Sequence, residues 1–434
     1  MSKRVGFISF RISGTDGVSL ETKKWAEIFE ANGYSCFYMA GELDTVPEKS
    51  FIVEEAHFKT PGIPELEEIY RVAFSTDKRP PYITTLVHTY REILKKKIYE
   101  FIRMYDLDLI IPQNTLTIPL NIPLALALTE VIAETGIPTI AHHHDFFWER
   151  KRFLSNCVWD YFNSSYPPHL NSIRHVVINS SAQNQLALRT GISSTLIPNV
   201  MPFERPPVQI DEYNADVREA LGIRKDQLLI LQPTRVVQRK GIEHAIELVA
   251  RLNMDAVLVI SHASGDEGFE YEQRVREYSD LLGITSIFVE ERIDDERGLT
   301  ARGEKIYTLQ DIYPHADLVT YPSIFEGFGN AFLETIYFRK PILVNNYSIY
   351  SHDIKPKGFK VIEMDGYISQ GTVEEARRYL QDPEMSRQTA EENYRLGLQY
   401  YSFQILEAKL YHLIATFWGK EATDAFRRKV LQEN

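Results

Sequence analysis

Short apolar runs alternate with helical stretches along most of this chain, and that alternation limits the fold more than any other feature. Near the start, "VGFISF" (Val5–Phe10) is rich in strand formers, "RISGTDG" is a glycine-bearing loop, and "VSLETKKWAEIFEANG" (Val18–Gly33) has helical spacing with a glycine stop. "YSCFYMA" then returns as a strand and completes a βαβ unit. Parallel strands joined by helices need helical layers on both faces, so a doubly wound α/β architecture follows.

The pattern continues through the strand "DLDLIIPQ" (Asp106–Gln113), the helix "PLALALTEVIAETG" (Pro123–Gly136) and the strands "IPTIAHHHD" (Ile137–Asp145) and "IRHVVINS" (Ile173–Ser180). Beyond the helix "AQNQLALRTG", four prolines between Pro198 and Pro207 interrupt regular structure and mark a domain boundary. The alternation then restarts with strands at Gln227–Thr234, Asp255–Ala263, Ser286–Glu291, Asp317–Ser323 and Lys340–Asn346. A chain of 434 residues exceeds what one core usually spans, so two consecutive α/β domains are expected. From about Thr372 the tail reads as helical throughout.

A formal net charge of −12 argues against a partner bound through phosphate neutralisation, so no nucleic-acid role is expected. Two cysteines, Cys36 and Cys157, supply neither a disulfide framework nor zinc-ligand spacing, which fits a reducing cytoplasm. The N-terminus lacks a signal-peptide core, and no apolar run approaches the roughly 18 residues of a membrane span.

Open parallel sheets bind ligands outside the carboxyl ends of their strands, and four such loops carry chemistry. In "SGTDGVSLE" (Ser13–Glu21), Gly14 and Gly17 permit close backbone approach beside a helix N-terminus, although a plain tight turn explains them equally. In "AHHHDFFWER", strand alternation puts His142 and His144 on one face and His143 on the other. The pair fits hydrogen bonding to a ligand, a metal site lacking a third nitrogen or sulfur ligand, or simple packing. Trp148, Arg150 and Arg152 suit a polyhydroxylated or anionic molecule, or a helix surface. In "PTRVVQRKGI", Arg235 and Lys240 flank a turn before the helix "IEHAIELVARL" and fit a diphosphate; with Arg239 they also fit a solvated basic turn. No Walker A pattern accompanies them. In "YPSIFEGFGNAFLET", Glu326 lies in a loop and Glu334 about one turn into the next helix, with two glycines between them.

This set resembles the retaining nucleotide-sugar glycosyltransferases of the GT-B fold, in the large family 4. The likeness covers nearly the whole chain: a glycine loop, a strand-end histidine, an "IPN" linker, an Arg/Lys pair and the E-x7-E motif "EGFGNAFLE". It implies two Rossmann-like domains facing a central cleft, with 1–202 as acceptor domain, 203–400 as donor domain and 401–434 as a helix returning to the first. By the resemblance, Arg235 and Lys240 hold the donor diphosphate, Glu334 the ribose hydroxyls, and Glu326 the transferred sugar together with Gly327, Phe328, Gly329 and Asn330. Gly14 and Gly17 complete the donor set. The family histidine is His142 by "HxxD" spacing or His144 by "HD" spacing, while His143, Asp145, Trp148 and Arg150 are candidates for the acceptor.

The mechanism implied needs no metal and no protein nucleophile. "HHHDFFWER" with "GNAFLE" looks like enzymes acting on small soluble acceptors, including makers of mannosylglucosylglycerate-type solutes. GDP-mannose is the favoured donor, UDP-glucose the next, and glucosylglycerate a suitable acceptor; a homo-oligomer is allowed. "GTDGVS" departs from the consecutive glycines of many relatives, and the insert Ile293–Asp311 falls where the nucleoside base would sit. The alternatives are a sugar-nucleotide 2-epimerase, whose Gln-Glu-Glu stretch is lacking, a metal-dependent hydrolase using His142 and His144, and a non-catalytic sugar-binding module.

Overall fold

The structure, a computed structural model, describes residues 3–14, 16–60, 62–261, 270–289 and 292–419. The chain forms two units. The first runs to Pro198 and takes in a further stretch beginning at Leu406; the second is Asn199–Ile405.

In the first unit, β1 (Arg4–Ile8), β2 (Ser35–Ala40), β3 (Ser50–Ile52), β4 (Leu109–Pro112), β5 (Thr139–His143), β6 (Ile173–Val177) and β7 (Ser194–Leu196) form one parallel sheet ordered β3-β2-β1-β4-β5-β6-β7. Val5 pairs with Cys36 on one side and Leu109 on the other, so β1 sits centrally and is apolar on both faces. The helix Gly17–Ala31 starts at Asp16, whose carboxylate accepts from Val18 N and Ser19 N, and it buries Trp25, Ala26, Ile28 and Phe29. The helix Ile122–Thr135 is capped by Asn121 and stopped by Gly136 in the left-handed region (φ 64°).

The second unit carries β8 (Leu228–Gln232), β9 (Ala256–Ile260), β10 (Ser286–Phe288), a hairpin of β11 (Gly298–Leu299) and β12 (Lys305–Ile306), then β13 (Leu318–Tyr321), β14 (Ile342–Asn345) and β15 (Ile362–Met364). Its main sheet is parallel and ordered β10-β9-β8-β13-β14-β15. The helix Ile242–Leu252 lays Ile242, Ala245, Ile246, Val249 and Leu252 onto it. Strand order reverses between β1 and β4 in the first unit and between β8 and β13 in the second. A doubly wound sheet opens its ligand crevice at that switch point, on the carboxyl side.

Each interior strand read from the sequence is present over a shorter span, residues 262–263 and 290–291 of two of those readings lying outside the described residues, while the short strands β3, β7 and β15 and the helices Pro64–Ala73 and Pro81–Tyr105 lie outside those readings. The insert Ile293–Asp311 holds the β11–β12 hairpin, pinned by Tyr213 Oη donating to the Gly298 and Ile306 carbonyls. The tail is helical over Gln370–Gln381, Pro383–Tyr401 and Phe403–Trp418, and its last 15 positions, 420–434, lie outside the described residues. The helix Phe403–Trp418 returns to the first unit, where Asn32 donates to Glu407, Arg174 to Thr416 and Lys409 to the Leu196 carbonyl. Both cysteines are free thiols. No described helix is long and apolar enough to cross a membrane.

Candidate active site

At the switch point of the second unit, the loop after β8 and the loop after β13 are joined. Ile324 N donates to the Arg239 carbonyl at 2.8 Å, and Gly241, in the left-handed region (φ 61°), lies so close that a Cβ would sit 2.7 Å from the Pro322 carbonyl oxygen. This docking brings Lys240 onto Glu326. The Lys240 ammonium donates to Glu326 Oε1, and Arg239 Nη1 donates to Oε2 at 3.0 Å. Burial pushes the Glu326 carboxyl upward, but Lys240 and then Arg239 outweigh it and hold the group below its usual range, so it is ionised. Burial also lowers the Lys240 ammonium, against the raising influence of Glu326. The Glu326 carboxylate is therefore paired twice. Arg235 is exposed, acts on Lys240 through space, and has no carboxylate partner among the described residues.

Gly329 opens the helix Asn330–Tyr337 with φ 128°, and a Cβ there would stand 2.5 Å from Tyr347 Oη. That hydroxyl donates to the Phe328 carbonyl, which fixes the loop's last turn. Glu334 accepts from Tyr313 Oη at 3.1 Å, and Asn330 Oδ1 accepts from Asn199 at 2.6 Å. Among the described residues no side chain caps this helix, whereas the first N–H of the helix Ile242–Leu252, that of Ile242, donates to Tyr271 Oη at 3.1 Å. Arg235, Lys240, Glu326 and the segment Gly327–Asn330 thus occupy two adjoining loops, with Glu334 in the helix that follows.

In the first unit the glycine loop lies against carboxylates. Gly14 N donates to Asp44 at 2.9 Å, and the helix N-terminus after Gly17 is already capped by Asp16. The N–H groups of Gly14, Val18 and Ser19 thus meet carboxylates. The histidines lie at the carboxyl end of β5 with the alternation expected. His142 stacks on Trp25 (ring centroids 4.2 Å) and lies 4.3 Å from the His144 ring; neither of its ring nitrogens has a hydrogen-bond partner among the described residues. His144 reaches Gln113 Oε1 at 3.3 Å. His143 faces the other side, where its Nε2 meets His175 Nδ1 at 2.9 Å. Burial holds all of them largely neutral, His144 and His175 falling to about 4 and His142 and His143 well below the usual value.

Among the acceptor candidates, Asp145 pairs with Arg150 at 2.5 Å and Trp148 stacks on Phe146 at 4.4 Å, while His143 is turned into the sheet. These side chains are engaged with the protein itself. Among the described residues, no group of three or more His, Cys, Asp or Glu side chains is arranged to hold a metal ion.

Several residues with structural roles at the two loop clusters were not singled out from sequence. Arg239 was read as part of a basic turn; only the adjacency of β8 and β13 reveals it as a Glu326 partner. Asn114, in the left-handed region at φ 62°, uses Oδ1 to accept from His144 N, Asp145 N and Thr117 Oγ1 at 3.0–3.2 Å. An asparagine just past a strand end was the available signal. Trp25 and Tyr313 carried none.

Residues 214–396 match the family described as glycosyl transferases group 1. The chain is 33% identical to the mannosylglucosylglycerate synthase of Petrotoga mobilis over 83% of its own length and 86% of the relative's. It is 30% identical to the enzyme of the same name from Thermotoga maritima, over 93% and 98%. Anabaena Alr3699/HepE, crystallised with UDP and glucose, shares the fold with a TM-score of 0.64 at 13% identity, covering 96% of this chain and 100% of that one. The chain belongs to the group 1 glycosyltransferases, with the GT-B fold. Within that class, it is similar over nearly its whole length to the mannosylglucosylglycerate synthases.

Proposed function

We propose that this glycosyltransferase moves a mannosyl unit from GDP-mannose to a hydroxyl of glucosylglycerate, retaining the anomeric configuration. UDP-glucose is the next donor to consider. The acceptor follows from the name of the relatives' product: mannosylglucosylglycerate less its mannosyl unit is glucosylglycerate.

The observation that carries the reading is the charge cluster at the β8/β13 switch point. Arg235, Arg239 and Lys240 against the single carboxylate Glu326 leave a net charge of +2, which complements the two negative charges of a sugar-nucleotide diphosphate. The helix Asn330–Tyr337, with no side-chain cap among the described residues, begins beside it, and its first backbone N–H groups suit phosphate or hydroxyl oxygens.

As the C1–O bond breaks, the departing diphosphate gains negative charge, and the buried Lys240 with the more exposed Arg239 and Arg235 stabilises that charge more than the ground state. Lys240 is held by Glu326, so it costs little reorganisation at that moment. Glu326 keeps its carboxylate ionised beside the reacting sugar, where it orients hydroxyls and favours an oxocarbenium-like centre. Glu334, steadied by Tyr313, accepts the ribose hydroxyls. His142 brings two ring nitrogens with no partner and His144 lies against it, so either can hydrogen-bond the donor sugar. The acceptor oxygen attacks on the face the diphosphate leaves, passing its proton to a donor phosphate oxygen. The first unit receives the acceptor and the second holds the donor. The protein works in the cytoplasm with no essential divalent metal.

Incubation with GDP-mannose and glucosylglycerate, read by NMR of the product's anomeric centre, is the test. An α-linked mannoside supports the reading. No product from GDP-mannose, UDP-glucose or ADP-glucose overturns it, and a β-linked product overturns retention alone.

A further inference from the structure

At the amino edge of the second unit's sheet, opposite the edge that carries Lys240 and Glu326, lies a cavity of about 280 Å³. It opens beside Leu228 at the start of β8, Asp317 before β13 and Pro341 before β14. The volume is just under the roughly 300–1,000 Å³ of sites for drug-sized ligands, so it suits a smaller molecule.

Lys340 stands in its wall. The helix Asn330–Tyr337 ends there, and Arg339, in the left-handed region (φ 54°), turns the chain toward β14. The half-buried Lys340 ammonium donates to the Pro314 carbonyl at 2.8 Å and has no carboxylate within ion-pair distance among the described residues. The nearby acidic groups are held by arginines. Asp317 Oδ2 accepts from Arg218 Nη2 at 2.7 Å and from Leu229 N at 2.8 Å, and Glu391 accepts from Arg339 at 2.9 Å. Burial, opposed by Asp317 and joined by the Arg218 charge, lowers the Lys340 ammonium to about 8. A desolvated amine beside another cation is a nucleophile rather than a solvated charge. Donating an N–H to Pro314 leaves the lone pair of its neutral form available for attack. Arg387, also in the wall, pairs with Glu384 at a position so exposed that the pair holds it weakly.

We propose that Lys340 is a reactive lysine that takes an acyl group from a small acyl phosphate, with Arg387 drawing the phosphate into the cavity. Nζ attacks the acyl carbon and a C–N bond forms. The C–O bond to phosphate breaks, inorganic phosphate leaves with the electron pair, and the amine's proton passes to solvent. The product is a neutral amide that keeps one N–H for the Pro314 carbonyl, and the desolvation cost of an unpaired ammonium is gone. No sugar takes part, so the site stands apart from the proposed transfer.

The test incubates full-length protein with acetyl phosphate, and separately with N-acetylimidazole as an uncharged acetyl source. Peptide mass spectrometry follows each lysine against time. With acetyl phosphate at pH 7.5, Lys340 should be acetylated roughly tenfold faster or more than the exposed Lys96 and Lys225. Its rate should saturate with acetyl phosphate and level off above a pH of about 8. Arg387→Ala should raise the half-saturating concentration and leave both the N-acetylimidazole rate and the thermal midpoint unchanged. Rates at Lys340 no greater than at Lys96 and Lys225 with either reagent overturn the reactive lysine. Fast labelling by N-acetylimidazole without saturation by acetyl phosphate overturns the acyl phosphate as its substrate. Saturation that survives Arg387→Ala unaltered overturns the role of that arginine.

Discussion

The Lys240 ammonium and the Glu326 carboxylate hydrogen bond inside the second unit, with side-chain exposures of only 11% and 10%. Each makes the other's charge tolerable away from water. Removing one partner of a buried pair typically costs about 3–5 kcal/mol, so Lys240→Met and Glu326→Leu should each lower unfolding stability measurably in urea. The second partner Arg239 should make the loss of Lys240 the milder of the two. The double variant should regain much of that stability and none of the transfer activity, because the pair's chemistry is needed even where its packing can be replaced. Activity at wild-type level in either single variant would refute the site.

Tyr313→Phe removes one hydrogen bond to Glu334 while keeping the ring stacked on Phe338 (centroids 4.7 Å). A net hydrogen bond is worth about 1 kcal/mol, so the donor KM should rise roughly fivefold with kcat nearly unchanged. Glu334→Gln should raise it further. Steady-state kinetics with the donor varied reads both, and a fall in kcat at constant KM would contradict the ribose-holding role.

Asn114 combines a left-handed backbone with three accepted hydrogen bonds. Asn114→Gly keeps the backbone and loses the bonds, whereas Asn114→Ala loses the bonds and adds strain of about 1 kcal/mol or more. Thermal midpoints should therefore fall in the order wild type, glycine, alanine. Equal midpoints for glycine and alanine would show that the backbone is not held in the left-handed region.

The four buried histidines tie stability to pH. Their folded-state values are depressed, so the unfolded chain binds protons first, and stability present near neutrality is lost as pH falls from about 6.5 toward about 4. His144 and His175 each contribute on the order of 3 kcal/mol over that window. Glu149 opposes them, because burial raises its carboxyl to about 7 and its protonation favours the folded state as pH falls below that value. Urea midpoints between pH 7.5 and 4.5 should decline, and His175→Gln should flatten the curve. A midpoint that holds steady to pH 4.5 would contradict the neutral, buried cluster.

The interior strands, the fold class and the residue types of the donor loops were legible in the sequence, because buried parallel strands are unbroken apolar runs and a strand end followed by glycine announces a loop. Pairings between loops were not. Arg239 lies 87 residues from Glu326, and only the lateral order of β8 and β13 brings them together. The partners of Gly14, Trp148 and Arg150 were equally hidden: nothing in the sequence marks Asp44, Phe146 or Asp145 as the side chain each one meets. Edge strands such as β3 and β15, three residues each, are too short to show a period.

Because the helix Phe403–Trp418 contributes Leu406, Leu410, Leu413 and Ile414 to the first unit's interior, that unit is assembled from both ends of the described chain. During synthesis, the segment up to Pro198 emerges well before the piece that covers it, and an entire second unit is made in the interval. The first half waits through that interval for the buried side chains of Leu406, Leu410, Leu413 and Ile414 that complete its interior. A transcript cut after Ile405 would leave that wait without an end.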